Sequence, residues 1–281
     1  MIQKAGQAFL FLKRASENVL SVSFLSRTQQ KANNPEELNT FFDTTYLFSS
    51  YSTEHFVVLL LFLGFCIWFI PFMKTRSTEK QRKVLLVLAV MMSISQLMKI
   101  PLNMYTGTFD VAHDIPLHMC NFLPFVLVWV YMKKDRDTWA VLFFWVVLGV
   151  SQANLTPSVQ FSLFHYDAIR YWMVHLLLVL VALYPAIEWG WELKLGDVGR
   201  SVVALNVVAL LVGGINMMLG SNYLYVMGKP PGTTFFSILP EWPVYLIYLE
   251  LIFLVWALLV YGLFRWVKRG FRDIGSTKEL S

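Results

Sequence analysis

The sequence predicts an all-α polytopic membrane protein with seven transmembrane helices, an external N-terminus and a cytoplasmic C-terminus. The first observation is composition: 57% of the 281 residues are hydrophobic and only 15% are charged, whereas a soluble domain has about 25% charged residues. The second is a mean hydropathy of +0.55. The third is the distribution of basic residues between loops. Two cysteines, Cys66 and Cys120, also exclude a disulfide scaffold.

Several stretches approach the ~20 apolar residues that a helix needs to cross the hydrocarbon core. In chain order they are His55–Phe72, Val84–Ile100, Ile115–Met132, Thr138–Gln152, Ile169–Ile187, Val198–Leu219 and Val244–Phe264. The fourth stretch is short and ends in polar residues. We count it as a span because the alternation of charge between the loops requires it.

Basic residues are concentrated in alternate loops. They follow the first, third, fifth and seventh spans, as Lys74, Arg76, Lys80, Arg82, Lys83, Lys133, Lys134, Arg136, Lys194, Arg200, Arg265, Lys268, Arg269 and Arg272. Because cytoplasmic loops carry the excess of Lys and Arg, the net charge of +5 indicates topology. We therefore expect a multi-pass protein of the cell membrane, and nucleic acid is excluded as a partner.

The chain is predicted to have three parts. Residues 1–44 form a polar N-terminal arm, for which an amphipathic surface helix and a disordered segment are both open. Residues 45–267 form the seven-helix transmembrane domain, and residues 268–281 a basic cytoplasmic tail. The arm lacks the features of a signal peptide.

Polar residues within the spans cluster on the predicted outer side. All five histidines fall there, together with several amides and ionisable residues: His55, His113, His118, His165, His175, Gln96, Lys99, Gln152, Asn154, Asn216 and Glu250. Ionisable residues within a span are costly, and they commonly face the bundle interior and serve function. This one-sided distribution predicts a water-accessible pocket that opens to the outside.

One segment places a thiol near the start of the third span. Asp114 is predicted to cap this helix and Pro116 to lie in its first turn. Cys120 would then lie about 9 Å deep, and His175, eight residues beyond its predicted cap Asp167, about 12 Å deep. The similar depths predict that thiol and imidazole come within hydrogen-bond reach, as nucleophilic catalysis requires.

Two neighbouring residues have different expected roles. His118 points away from Cys120 on a helix but shares a face with Asn121, and Cys66 is interpreted as a packing residue.

Short motifs follow each other in a set order along the chain. They are Pro116-Leu-His-Met-Cys-Asn121, Asn154-Leu-Thr-Pro157, His175, Gly220-Ser-Asn-Tyr223, Gly228-Lys-Pro230 and Pro240-Glu-Trp-Pro-Val-Tyr245. Together they resemble the YwaF family of bacterial integral membrane proteins over residues 45–265. A distantly similar eukaryotic group comprises transmembrane acyltransferases of ether-phospholipid remodelling, for which a Cys/His pair is the proposed catalytic centre. The resemblance implies Cys120 as nucleophile and His175 as base.

The leading hypothesis is an enzyme that transfers an acyl group from a phospholipid through a thioester on Cys120 to a lyso-phospholipid or to water. Asn121, Asn154 or Asn222 could donate hydrogen bonds to the oxyanion. Further candidate substrate-binding residues are His118, Tyr223, Glu250 and His55. Membrane lipids are the expected partners, neither a cofactor nor a metal is required by this hypothesis, and the oligomeric state is not predicted.

Two alternatives remain open. The first is a metal-dependent membrane hydrolase in which His55, Asp114, His118 and His175 converge on zinc, although these residues include no pair at the i,i+4 spacing that places two ligands on one helix face. The second is a non-enzymatic lipid or solute binder, or a transporter. The interrupted pairs of spans typical of many transporters are not evident.

Overall fold

The computed structural model describes residues 44–230 and 235–278, and the regular structure of this part is helical. Its α-helices are α1 (Thr53–Lys74), α2 (Thr78–Tyr105), α3 (Val111–Asp114), α4 (Met119–Lys133), α5 (Arg136–Trp145), α6 (Ser151–Leu155), α7 (Tyr166–Glu188), α8 (Leu195–Leu219) and α9 (Val244–Lys278). A π-helical segment, Val146–Val150, joins α5 to α6. Short 3-10 turns cover Tyr223–Tyr225 and Phe235–Ile238, and Leu47 and Phe161 form an isolated β-bridge.

Six of these helical stretches are long and apolar enough to cross a membrane, counting Arg136–Leu155 as one. Helix α4 is apolar but has only 15 residues. The prediction of an all-α polytopic membrane protein is therefore confirmed for the described residues, with α4 in the place of the third predicted span. The orientation of the chain across the membrane stays a prediction.

Local capping explains where several helices begin and end. The Ser52 side chain accepts a hydrogen bond from the His55 N–H at the start of α1. Asp135 accepts from the N–H groups of Asp137 and Thr138 at the start of α5. The hydrogen bond from the Thr138 N–H is the main reason why the pKa of Asp135 is below its usual value.

The core lies where α2, α4, α5 and α7 meet. Helix α2 packs against both α4 and α7, and α4 also packs against α7. In the most apolar 18-residue stretch of each helix, 61% of the residues are buried in α7, compared with 11% in α8 and 6% in α9. The inner helices therefore position the polar residues, while α8 and α9 present most of their surface to the outside of the bundle.

The bundle has two chemically different ends. The basic end comprises residues 74–78, 133–136 and 189–194, where the Arg82 guanidinium donates to the Tyr131 carbonyl at 2.7 Å. The site end comprises residues 106–118, 156–165 and 220–243. There the Tyr166 hydroxyl donates to the Asn103 side chain.

The start of α4 differs from the prediction. The helix begins at Met119 with His118 at its N-cap position, not with Asp114 as the cap. Asp114 instead ends the short helix α3, and Ile115 is extended, since a residue that precedes proline is displaced from the helical region. Cys120 is therefore the second residue of its helix.

The start of α7 also differs from the prediction. Its N-cap is His165, whose side chain accepts from the Asp167 N–H. The predicted depths of 9 and 12 Å, which were counted from Asp114 and Asp167, are therefore wrong.

The predicted N-terminal arm, residues 1–44, lies outside the described residues except for Thr44. At the other end, α9 continues as a helix to Lys278, so the predicted boundary at residue 267 is not a break in secondary structure.

Candidate functional site

The segment that precedes α4 is held in place by two distant residues. The Tyr223 hydroxyl donates to the Val111 carbonyl at 2.7 Å and accepts from the Ile115 N–H at 3.0 Å. Burial raises the pKa of Tyr223, so its phenol keeps the proton that it donates. Lys99 forms an ion pair of 2.9 Å with the buried Asp114. These contacts fix the position at which α4 begins.

Cys120 lies at the N-terminus of α4, where the helix has unpaired N–H groups. The N–H groups of Cys120 and Asn121 approach the sulfur, and the thiol donates to the Asn121 Oδ1 atom at 3.4 Å. Pro124 lacks an N–H, so the Cys120 carbonyl has no helical donor four residues on. The partly exposed sulfur thus faces the positive end of a helix, which stabilises negative charge.

The contacts of His175 define which of its nitrogens can act as a base. The His175 Nδ1 atom lies 2.8 Å from the Tyr171 carbonyl oxygen, and a carbonyl can only accept, so Nδ1 carries the proton. In the neutral ring, Nε2 then carries the lone pair. The described residues provide no hydrogen-bond partner for Nε2. The imidazole also stacks on the Tyr171 ring at a centroid distance of 3.9 Å.

Cys120 and His175 are equally many residues from the ends of their helices at the basic end. Cys120 precedes the last residue of α4, Lys133, by 13 positions, and His175 precedes the last residue of α7, Glu188, also by 13. This corresponds to about 20 Å along each helix. Near that end the Tyr131 hydroxyl of α4 donates to a carbonyl of α7, which sets the two helices side by side.

Tyr171 and Tyr225 belong to the same site, although sequence reasoning missed both. The Cys120 sulfur is close enough to interact electrostatically with each phenol. Tyr225 has a φ of 55°, and burial is the main reason why its pKa is raised, so its hydroxyl stays protonated. The only signal in the sequence is the position of Tyr225 two residues beyond the motif that ends at Tyr223.

His55 and Asn154 form a chain of hydrogen bonds that reaches the backbone carbonyl of His175. The His55 Nδ1 atom accepts from the Tyr51 N–H at 3.1 Å, and its Nε2 atom donates to the Asn154 carbonyl at 2.9 Å. The Asn154 Nδ2 atom in turn donates to the His175 carbonyl at 3.2 Å. The Asn154 Oδ1 atom is buried without a hydrogen-bond partner in the described part of the chain.

The remaining predicted residues divide into two groups. His118 remains beside Cys120, where its ring contacts Tyr223 and Tyr225 at centroid distances of 5.2 Å. Asn222 is used within its own loop, because it donates to the Gly228 carbonyl at 2.8 Å. Glu250 lies between α8 and α9, where it accepts from Asn206, and the structure does not bring it to the cysteine.

The predicted zinc ligands have separate partners. Asp114 is paired with Lys99, and His55 uses both ring nitrogens as described above. Within residues 44–230 and 235–278, no group of three or more His, Cys, Asp or Glu side chains is placed to hold a metal ion. The geometry therefore does not favour the zinc hydrolase alternative.

The fold and this cluster define an integral membrane protein with a thiol, an imidazole and phenols grouped at one end of a helical bundle. The model of the TMEM164 family matches residues 50–261, and the chain belongs to this family. Comparisons with curated proteins and with solved structures gave no match. The match covers every residue of the site, while the resemblance to the YwaF family stays a prediction.

Proposed function

We propose that this protein is a thiol-dependent lipid acyltransferase in which Cys120 is the nucleophile and His175 the general base. The observation that carries the proposal is the tautomer of His175. Its Nδ1–H is committed to the Tyr171 carbonyl, so Nε2 is the basic atom, on a helix that packs against the helix that contains Cys120. Nucleophilic catalysis requires an oriented base within reach of a thiol, and the orientation of His175 supports that role.

The proposed reaction has two halves. His175 accepts the proton of Cys120, the thiolate attacks the ester carbonyl of a phospholipid, and the lyso-phospholipid leaves with that proton. The acyl group is then a thioester on Cys120. In the second half His175 accepts a proton from the hydroxyl of a lyso-phospholipid or of water, which attacks the thioester and regenerates the thiol.

Asn154 fits a different role in this reaction from the predicted one. One N–H of its Nδ2 atom donates to the His175 carbonyl, which fixes the orientation of the amide. Its buried Oδ1 atom lacks a partner in the described structure and can accept from the attacking hydroxyl. Asn154 therefore suits the second half of the reaction and the support of His175.

The site end supports a lipid substrate. The thiol begins a helix within a bundle of candidate membrane spans, and most of the outer faces of α8 and α9 are apolar and exposed. An ester bond of a membrane lipid can reach such a position from the bilayer. The charge pattern of the loops favours an external position for this end, and we propose the outer leaflet of the cell membrane as the source of the phospholipid.

The test uses the full chain reconstituted in phospholipid vesicles that contain a labelled acyl chain. Wild-type protein is expected to form an acyl thioester on Cys120 and to transfer the label to added lyso-phospholipid. Cys120→Ala is expected to abolish both products, and His175→Ala to slow thioester formation by about 100-fold or more, the usual contribution of a general base.

Cys66→Ala is the matched control because Cys66 is also partly exposed and lies on helix α1. It is expected to leave the transfer unchanged. Transfer of label by the Cys120→Ala protein, or labelling that depends on Cys66, would exclude the proposed mechanism. Binding of lipid without any thioester would support the non-enzymatic alternative.

A further inference from the structure

Gln96 has a buried amide donor without a partner. The side chain is 2% exposed, and its Oε1 atom accepts from the Arg170 Nη1 atom at 2.7 Å. Because a guanidinium only donates, this contact fixes which end of the amide is oxygen. The Nε2 atom has no hydrogen-bond partner in the described part of the chain. An unpaired buried donor is unfavourable and calls for an explanation.

A series of contacts between α2 and the α7 region places Gln96 at the level of the site. Towards the basic end, Trp189 donates to the Gln81 side chain at 2.7 Å, and towards the site end Tyr166 donates to Asn103. The contact of Gln96 with Arg170 lies between these two. The residue that follows Arg170 is Tyr171, whose ring stacks on His175.

Gln96 also belongs to the buried face of α2, a helix that packs against both α4 and α7. The buried residues of α2 recur every three or four positions, as a helix face does: Gln81, Leu85, Ala89, Met92, Ser93, Gln96 and Asn103. Arg82, near the start of α2, donates to the Tyr131 carbonyl near the end of α4. The two helices are therefore antiparallel, and the later part of this face meets the start of α4.

The environment of Gln96 is electrostatically linked to both proposed catalytic residues. The charge of Arg170 acts on Cys120 and on His175. Arg170 is itself held by Asp167, whose Oδ1 atom accepts from its Nε atom at 3.2 Å. The Gln96 amide is thus fixed by a side chain that borders the thiol and the imidazole.

The asparagines considered from the sequence each have a contact of their own. Asn154 donates to the His175 carbonyl, Asn222 donates to the Gly228 carbonyl, and Asn121 presents its Oδ1 atom to the thiol. We propose that the Gln96 Nε2–H group donates a hydrogen bond to the oxyanion that forms when Cys120 attacks an acyl ester, an inference that rests on the proposed function.

The proposed step is balanced. The thiolate electron pair forms the S–C bond, and the carbonyl π pair moves to oxygen, where Gln96 stabilises the negative charge. When the intermediate collapses, the C=O bond re-forms and the C–O bond to the lyso-lipid breaks. The departing oxygen takes the proton from His175, and Gln96 is unchanged.

Two variants separate hydrogen-bond donation by the Gln96 N–H group from the contact of Gln96 with Arg170. Gln96→Glu keeps an acceptor for Arg170 but loses the amide N–H, and Gln96→Met loses both. We expect each variant to form the Cys120 thioester about 100-fold more slowly than wild type, the usual loss when one oxyanion donor is removed. Alkylation of Cys120 by an apolar maleimide, which needs no oxyanion, is expected to stay within twofold of wild type and reports that the site is folded.

The outcomes distinguish this inference from the proposed function. If wild-type protein forms no thioester on Cys120, the proposed function is wrong. If wild type forms it and Gln96→Glu forms it at the same rate, Gln96 serves only to hold Arg170 and the inference is overturned. A slow Gln96→Glu protein with normal alkylation supports donation to the oxyanion.

Discussion

The two ends of this bundle differ in how they use side-chain amides. At the basic end long side chains bond to the carbonyls of neighbouring helix ends, as Gln81 does with Met73 at 3.1 Å and Lys268 with Ala186 at 2.9 Å, although the hydroxyls of Tyr184 and Ser201 nearby have no partner in the described structure. In the other half, the amides of Gln96 and Asn154 each retain a buried atom without a partner in the described structure. Satisfied groups stabilise a fold, whereas unsatisfied ones are available to a ligand.

Backbone strain occurs at both ends, since Lys134 at the basic end also has a positive φ, of 55°. Leu224 and Tyr225 have φ values of 58° and 55° at the site end, a region that side chains with a Cβ rarely adopt and that costs of order 1–3 kcal/mol per residue. The π-helical segment Val146–Val150 is also of a kind that occurs often at functional sites. The clearest difference is therefore between amides: both ends of the Gln81 amide are paired, whereas Gln96 and Asn154 each keep one atom that could contact a ligand.

The largest stability effect is expected from Asp197 at the basic end. This residue is 0% exposed, accepts from Arg136 at 3.0 Å and accepts from the Lys194 N–H at 2.7 Å. Asp197→Ala would leave Arg136 without its buried partner. We expect the free energy of unfolding, measured by SDS titration in mixed micelles, to fall by about 3–5 kcal/mol.

Arg200 provides a control in the same cluster. Its side chain is 48% exposed and lies 3.3 Å from Asp197. Arg200→Gln is expected to change the free energy of unfolding by less than about 1 kcal/mol, as exposed pairs usually do. Equal losses in the two variants would contradict the role of the buried pair. Thioester formation per folded molecule is expected to be normal in both.

An intermediate effect is expected from Tyr223 at the site end. Tyr223→Phe removes only the hydroxyl that joins Val111 and Ile115. We expect a loss of about 1–3 kcal/mol in the free energy of unfolding, because two partly buried backbone groups lose their partner. Since the start of α4 is then less well fixed, thioester formation should slow by about tenfold.

For Tyr223→Phe, the loss in the rate of thioester formation is compared with the loss in the free energy of unfolding. Tyr223→Phe should lose more of the rate for each kcal/mol of stability than Asp197→Ala does. A normal rate of thioester formation in Tyr223→Phe would show that Tyr223 does not position Cys120.

The sequence was sufficient for the features that depend on local chemistry. Hydropathy located the helices because a span must bury an unbroken apolar surface. Cys120 and His175 were selected as candidates from their residue types and positions, and their catalytic roles stay a proposal. The start of α4 was not predictable, because Asp114 is withdrawn from capping by Lys99 and by the Asp110 N–H at 2.7 Å. Lys99 lies on a different helix from Asp114, so no local pattern reveals that contact.

The roles of Gln96, Tyr171 and Tyr225 were equally inaccessible from the sequence. The positions of Tyr171 and Tyr225 near Cys120, and the contact of Gln96 with Arg170, depend on which face of a helix or which turn of a loop the fold directs inward. Gln96 is one polar residue among several in α2, and only the contact with Arg170 shows which end of its amide remains unpaired. Side-chain partners that are distant along the chain are set by packing, and periodicity alone does not specify them.

The smallest stability effect is expected at Gly149, and it tests how closely the π-helical segment supports Cys120. A Cβ atom at Gly149 would lie 3.3 Å from the Met119 Sδ atom, so Met119, which precedes Cys120, would have to move. The gain in helix propensity of up to about 1 kcal/mol should offset the crowding, and the net change in unfolding free energy for Gly149→Ala should be under about 1 kcal/mol. Thioester formation should nevertheless slow several-fold.

Gly199→Ala is the matched control because a Cβ atom there meets no heavy atom within 4 Å. It should stabilise α8 by about 0.5–1 kcal/mol and leave the reaction rate unchanged. If Gly149→Ala also left the rate unchanged, the reactive geometry would depend on α4 and its N-terminal segment alone. A slower rate at nearly constant stability would show that the π-helical segment helps to position the Cys120 sulfur. The added methyl group at Gly149 would then act on Cys120 through Met119 and leave the stability of the fold almost unchanged.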